Sequence, residues 1–443
     1  MLKFDVLVIG AGPAGIAAGS LLVKTNLRFL ILEAGGPLET RSKKDPKSCA
    51  QGYGGCGLFS DGKFSFAPSA SGLVNLLGSS GTFVDCGSWL YERLLNQGIR
   101  PTTTKMRNGK TDITQDWTAK PYISCKTTLA ERKLMLEEFL TLIGTQRVRY
   151  HHFVQNWQCN PVGIVHLQVN TPDGPLSLLS RKILVACGRF VHPHYHPKSK
   201  EDIQDIQDIQ EKTIVRRIEV GIRIQGPCSH RLWDVLNKKC NSSLDPKFIS
   251  KAKILPKNND IVEYRTFCYC ERGEIIPTKI DGITSFSGQT DENELTLLTN
   301  MAFNIRYLSP SVEIQRKFLR FLESLRNGQT VPFQKMLLSE FFWFPFDDIW
   351  FYIQPLRDAL SDFLVMPNGI ANLSRIPPNF TVHGPTIEGI GYYPSLSADD
   401  FLSTKEQGVY VAGDSSGVFR GLTAAMVSGR FAAQQIIKSL TIE

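Results

Sequence analysis

Short apolar runs ending in glycine alternate along this chain with longer stretches of helical spacing. Residues 4–9, apolar apart from Asp5, predict a buried strand, and an Ala-rich apolar stretch to about residue 24 predicts the helix behind it. Phe29–Leu32 predicts a second buried strand ending at Glu33, so the chain opens as β-α-β. Leu129, Leu134, Leu136, Phe139, Leu140 and Ile143 predict a helix over 129–143. Short strands are expected within 148–169 and 176–179, and residues 182–187 predict a buried strand entering a turn at Gly188. From 214 to about 310 the pattern is strand-like, and 311–326 returns to helical spacing. Val409–Ala412 predicts a last buried strand, followed by a closing helix over 421–440.

Two stretches break this pattern. Residues 35–81 are rich in Gly and Ser with little periodicity, and an irregular stretch of that length usually serves a ligand. Residues 341–353 hold eight aromatic side chains, expected as core or an inter-domain contact rather than as a channel or surface patch. Asp-Ile-Gln occurs three times within 201–210, where a surface helix or linker would mark a boundary.

The composition, 42% hydrophobic and 21% charged over 443 residues, excludes disordered and fibrous classes. No apolar run reaches the roughly 18–20 residues that span a bilayer. Neither a secretory leader nor a membrane anchor is expected, and the expected location is the cytoplasm. The net charge of +8 is spread along the chain, which favours anionic ligands without implying a nucleic-acid partner. Ten cysteines do not make a disulfide framework, and Cys268-x-Cys270 reads as structural thiols. His151-His152 and His192, His194 and His196 read as exposed loop, so no metal site is expected.

The candidate chemistry starts at Gly10-x-Gly12-x-x-Gly15, set between strand and helix, with Pro13 and Ala14 inside it. The first Gly allows the tight turn, the second a close approach to a pyrophosphate, the third close helix–strand packing. The helix N-terminus offers amides and a positive dipole end to phosphate. Glu33 with Ala34 stands where a carboxylate accepts both ribose hydroxyls, which favours FAD or NAD over NADP. The strand ending in Gly413-Asp414 decides for FAD, its carboxylate reaching a ribityl hydroxyl and its amide a phosphate. A helix starting near Gly421-Leu422-Thr423 would then aim its amides at the flavin carbonyl edge. No second Gly-x-Gly-x-x-Gly follows a strand, so no dedicated NAD(P)-binding domain is expected.

Gly10–Gly15 with Glu33, Ile183–Gly188 and Gly408–Asp414 together resemble the glutathione-reductase-like FAD superfamily. More narrowly, Gly54–Lys63, Ala186–Arg189, Glu219–Arg223, Tyr264–Cys268, Thr299–Phe303 and Gly413-Asp414 with Arg420–Leu422 are similar to uncharacterised FAD-dependent dehydrogenases. The chain departs from that family at Cys56, where a small residue is usual. It departs again at Tyr269–Arg272, where the family carries proline. The resemblance implies an α/β fold: a Rossmann-like, discontinuous FAD domain over 1–195 and 380–443, with a β-rich α+β substrate domain inserted over 200–380. It also implies cofactor contacts from Gly54, Gly55, Asp61, Val154, Ala186, Cys187 and Gly188.

The expected activity is FAD-dependent oxidoreduction, a hydride passing between a small organic substrate and flavin N5. NAD(P)H, oxygen, a quinone or a protein remain open as electron partner. Lys63 could steer an anion or stabilise reduced flavin, Arg265 or Arg223 could bind a substrate carboxylate, and Glu388 could accept a proton. For the arginines, an internal ion pair is the competing expectation. Two other readings stay open: a flavoprotein that modifies RNA, and a non-catalytic FAD-binding interaction protein.

Overall fold

The computed structural model describes residues 2–66, 81–100, 111–120, 123–189, 213–240, 245–256, 259–366, 369–397 and 402–442. The Asp-Ile-Gln repeat and His192, His194 and His196 lie outside the described residues. The fold is α/β, built on one largely parallel sheet and one large antiparallel sheet.

Five strands of the first sheet run parallel, in the order Val148–Arg149, Phe29–Leu32, Leu2–Ile9, Gly174–Val185, Val409–Val411. Gly174–Val185 changes partners along its length. Its first half pairs antiparallel with Val165–Thr171, which pairs with Phe153–Cys159, and its second half pairs parallel with Val409–Val411. Leu2–Ile9 is buried on both faces: Val6 and Val8 join the core under the helices, while Leu7 and Ile9 join the core shared with the antiparallel sheet. This explains a continuous apolar run where a half-exposed strand would alternate.

Helix Pro13–Leu22 is apolar nearly all round because it is buried nearly all round. Its Gly15 is a packing requirement, since a Cβ there would stand 1.9 Å from Gly10 O. The closing helix Leu422–Ile442 crosses it at Gly429, where a Cβ would meet Ala14 O at 2.0 Å. Leu129–Ile143 forms as expected, opened by a capping box in which Thr128 and Glu131 exchange hydrogen bonds. Helix Gly81–Asn96 is one that the sequence pattern does not predict, although Cys86, Leu90 and Leu94, four apart, are its buried face. No described helix is long and apolar enough to cross a membrane.

The second sheet has the order Phe333–Leu337, Thr381–Pro394, Thr213–Pro227, Leu298–Tyr307, Ile261–Cys270, Phe248–Ser250, Trp117–Ala119, Thr111–Asp112. Three of these segments, Thr111–Asp112, Trp117–Ala119 and Thr381–Pro394, come from outside 200–380. Trp117–Ala119 pairs with Phe248–Ser250, and Thr381–Pro394 runs beside Thr213–Pro227. At the level of the sheets, the chain therefore returns to the first layer between 394 and 409 rather than at 380.

Thr213–Pro227 alternates in the manner of a strand with one core face. Ile218, Val220, Ile222 and Ile224 enter the core, while Glu219 and Arg223 point the other way. Helices Val312–Arg326 and Ile353–Leu364 pack into the same core, together with Phe341, Trp350 and Tyr352. The aromatic stretch is thus mostly core, its rings meeting Phe321 and Phe333 edge-on or tilted. Trp343, 85% exposed, and Phe344, 45% exposed, are the exceptions.

Candidate functional site

Two adjoining cavities lie at the carboxyl ends of the parallel strands, sharing Cys56, Gly57, Arg189 and Asp414 in their walls. The first is a cleft of about 240 Å³. Gly10, Gly12, Pro13, Ala14, Glu33, Ala34, Gly55, Val154, Ala186, Cys187, Gly188, Gly413 and Asp414 all line it. These residues come from separate stretches of sequence, and the sheet order brings them to one edge. Gly12 and Gly55 face each other so closely that a Cβ on Gly55 would stand 3.0 Å from Gly12 Cα, leaving a wall of bare backbone. Gly12 caps helix Pro13–Leu22 with no side-chain hydrogen bond.

Glu33 is 6% exposed, and its carboxylate accepts three amide hydrogens: Ala11 at 2.8 Å, Gly35 at 2.8 Å and Gly52 at 2.9 Å. Besides facing the cleft, it ties together the glycine turn, its own strand end and the irregular loop. Nothing in the sequence signals this second task. The Gly413 amide donates to Ser428 Oγ at 2.9 Å, tying this turn to the closing helix.

The second cavity is a chamber of about 430 Å³ between the two sheets' loops. Asp61, Gly421, Leu422 and Thr423 line this chamber rather than the cleft. Gly15 lies inside the helix packing, and Gly54, whose amide donates to Ala11 O at 2.9 Å, sits behind Gly55. Thr423 Oγ1, at the start of the closing helix, is buried without a hydrogen-bond partner.

The chamber walls carry eight Lys or Arg side chains (Lys63, Lys120, Arg189, Arg223, Lys247, Arg265, Arg306 and Arg420) against four carboxylates (Asp61, Asp245, Glu388 and Asp414). The three side chains expected to act in chemistry are all here, and all are ion-paired. Lys63 contacts Asp61 at 3.4 Å, Asp245 at 3.5 Å and the Tyr269 carbonyl at 2.5 Å. Despite burial, those carboxylates push its ammonium above the ordinary lysine range. Arg265 holds Glu219 at 2.5 Å, the internal pair that competed with substrate binding. Glu388 lies between Arg189 at 3.1 Å and Arg420 at 2.5 Å, and Arg420 also reaches Asp414 at 3.1 Å.

Glu219 is the residue that sequence reasoning missed. It is wholly buried and gathers Arg265, Arg306 at 3.0 Å and Arg420 at 3.6 Å. Arg306 stands opposite both Glu219 and Glu263 on neighbouring strands, so charges of alternating sign cross the sheet. Lys247, on the same wall, is pushed down to about 7 by burial and then by Arg265, Lys120 and Arg306. An acid at the alternate position of a strand, with arginines at matching positions elsewhere, is a signal visible only once register is known.

No family model matches the chain, and no curated protein sequence matches it. Among solved structures it is similar to a flavoprotein/dehydrogenase from Cytophaga hutchinsonii (14% identity, 100% of this chain and 79% of that one, TM-score 0.41). It is similar also to a geranylgeranyl bacteriochlorophyll reductase-like protein from Thermoplasma acidophilum (11%, 100% and 80%, 0.42). A third is p-nitrophenol 4-monooxygenase from Pseudomonas putida (12%, 100% and 82%, 0.39). Likenesses this faint leave the chemistry to be read from the site itself.

Proposed function

We propose that this chain is an FAD-dependent oxidoreductase acting on a small organic anion, with the dinucleotide in the cleft and substrate in the chamber. One observation carries the reading: a backbone-walled cleft, with Glu33 along its wall, adjoins a polar chamber lined by Gly421–Thr423 at the start of the closing helix. The residues present fit FAD. Glu33 and Val154 would border its ribose and adenine, the Gly12–Ala14 turn its pyrophosphate, and Gly421–Thr423 its ring. Bound FAD supplies a two-electron acceptor at flavin N5, which makes dehydrogenation the simplest chemistry for the site.

The protein's own part is positioning and electrostatics. The amides opening helix Leu422–Ile442, with Thr423 Oγ1, would stabilise negative charge at the ring edge. Arg420, buried between Glu388 and Asp414, fixes those carboxylates and so the shape of the cleft–chamber junction. Lys120 on the chamber wall, joined by Lys247 when it is protonated below about 7, favours carboxylate-bearing or phosphorylated substrates. Glu388, held by two guanidiniums, is better suited to orienting Arg420 than to taking a proton. The resemblance to glutathione-reductase-like dehydrogenases, and a division into cofactor and substrate lobes, belong to this reading. The electron partner is a nicotinamide, oxygen, a quinone or a protein.

The test is an anaerobic reduction series on FAD-loaded protein, first with NADH and NADPH, then with a panel of small 2-hydroxy acids. Bleaching by an anionic compound, absent with its uncharged ester, supports the reading. Bleaching by uncharged compounds alone would contradict the substrate class.

A further inference from the structure

We propose that Cys268 and Cys270 form a redox-active dithiol in the chamber wall, which closes to an intrachain disulfide by exchange with a small, carboxylate-bearing disulfide.

The local backbone brings the pair together. Strand Ile261–Cys270 runs in register with Leu298–Tyr307 as far as Phe267, and the register then breaks before Cys270. Cys268 takes φ +51°, a left-handed conformation that non-glycine residues rarely adopt and that tends to collect at functional positions. The two Sγ atoms stand 3.9 Å apart. Side-chain rotation can bring them to bonding distance, about 2.05 Å.

The surroundings favour a thiolate. Arg223 is 1% exposed, and its guanidinium donates to Asn300 Oδ1 at 2.5 and 3.0 Å and to the Cys268 carbonyl at 2.7 Å. Its Nη2 lies 3.9 Å from Cys270 Sγ. Among the described residues, no carboxylate lies within ion-pair distance of Arg223, so its charge faces the sulfurs. The hydrogen bond from Cys268, then Arg223 and Lys63, pull the Cys270 thiol below the ordinary range, while the same hydrogen bond and burial hold Cys268 well above it. Of the two, Cys270 is thus the thiol that ionises first. Elsewhere in the chamber wall, burial pushes Cys49 up to about 11 and raises Cys56 as well. Asp61 completes a trio of possible metal donors within 4.8 Å, but the two cations beside it oppose a metal ion.

Access matches this chemistry, since Cys268 lines the chamber and Cys270 lies buried behind it. The dithiol first releases the Cys270 proton to water; Cys268 then passes its own proton to Cys270 and attacks one sulfur of the incoming disulfide RSSR. A Cys268–SR bond forms, the RS–SR bond breaks, and the leaving thiolate takes a proton from water. Cys270 then loses its proton and attacks Cys268 Sγ. The ring closes and the second RS− leaves as RSH. Overall, dithiol plus RSSR gives protein disulfide plus two RSH: the protein loses two electrons and the small disulfide gains them. No flavin takes part, so this inference stands or falls separately from the proposed oxidoreductase activity.

The experiment equilibrates the purified full-length protein, anaerobically, over a series of reduced-to-oxidised glutathione ratios. Acid quenching, alkylation with N-ethylmaleimide and peptide mass mapping follow. The expected result is joint loss of two alkylation sites, at Cys268 and Cys270, along one two-electron titration curve, with Cys49 and Cys56 still alkylated at the midpoint. Cys270→Ser should trap a glutathione adduct on Cys268, which the wild-type protein resolves at least tenfold faster than the variant. Alkylation of both residues at every ratio would overturn the proposal, as would loss of thiols elsewhere first. The wild-type titration alone decides the matter should the variant fail to fold.

Discussion

The cleft and the chamber adjoin, yet they are built from different materials. The cleft is made largely of backbone: glycine turns, a helix start, and one carboxylate held by three amides. The chamber is made of side chains, with charges delivered by distant strands and neutralised in a network around Glu219 and Glu388. A backbone site demands particular spacings along the sequence. A side-chain site demands only that register place the right charges on one face. The first kind suits a constant ligand, and the second can change its substrate by changing a few side chains.

The largest expected effect comes from breaking the backbone site. Gly15→Val places atoms where Gly10 O already stands, at 1.9 Å from even a Cβ. Overpacking of this kind costs at least about 3 kcal/mol, and FAD affinity should fall more than about 100-fold. Retained affinity, measured by fluorescence quenching on adding FAD, would show that the helix does not pack as described.

On the side-chain site, Glu219→Gln leaves three arginines around a neutral amide. Breaking one partner of a buried pair costs about 3–5 kcal/mol, and thermal unfolding should report it. A loss below about 1 kcal/mol would mean that Glu263 and Glu388 carry the arginines without Glu219.

Thr423→Val sharpens the contrast, because it removes a hydroxyl that satisfies nothing in the protein alone. Stability should stay within about 0.5 kcal/mol, while FAD affinity falls by about five- to tenfold, the worth of one hydrogen bond. Equal loss of stability and affinity would mark Thr423 as structural only.

A pH dependence is expected at Lys247. The fold holds its amine neutral above about 7, whereas the unfolded chain keeps the proton to about 10.4. Between those values the unfolded state binds more protons, so stability should rise with pH through that window. Urea unfolding at several pH values should show this slope, and Lys247→Met should flatten it. The same slope in the variant would assign it to another group.

The same contrast separates what is legible in the sequence from what is not. Gly10, Gly12, Gly15 and Glu33 announce themselves because strand, turn, helix and acid must follow at fixed spacing. The strand ending at Gly413-Asp414 announces itself in the same way. Lys63, Arg265 and Glu388 do reach one cavity, but their partners are invisible in the sequence, since ion pairing across strands depends on register. The sheet that Thr381–Pro394 joins is illegible for a related reason: the strand is buried on both faces, and nothing local says which partner it takes. Helix Gly81–Asn96 is hidden because Asp85, Gly87 and Ser88 are weak helix formers beside its buried stripe of Cys86, Leu90 and Leu94.

The most direct measurement is the absorbance spectrum of the purified protein, before and after incubation with FAD and removal of the excess. The account predicts bound FAD, with the two visible bands of an oxidised flavin shifted from those of the free cofactor. A protein that stays colourless after incubation with FAD would contradict it.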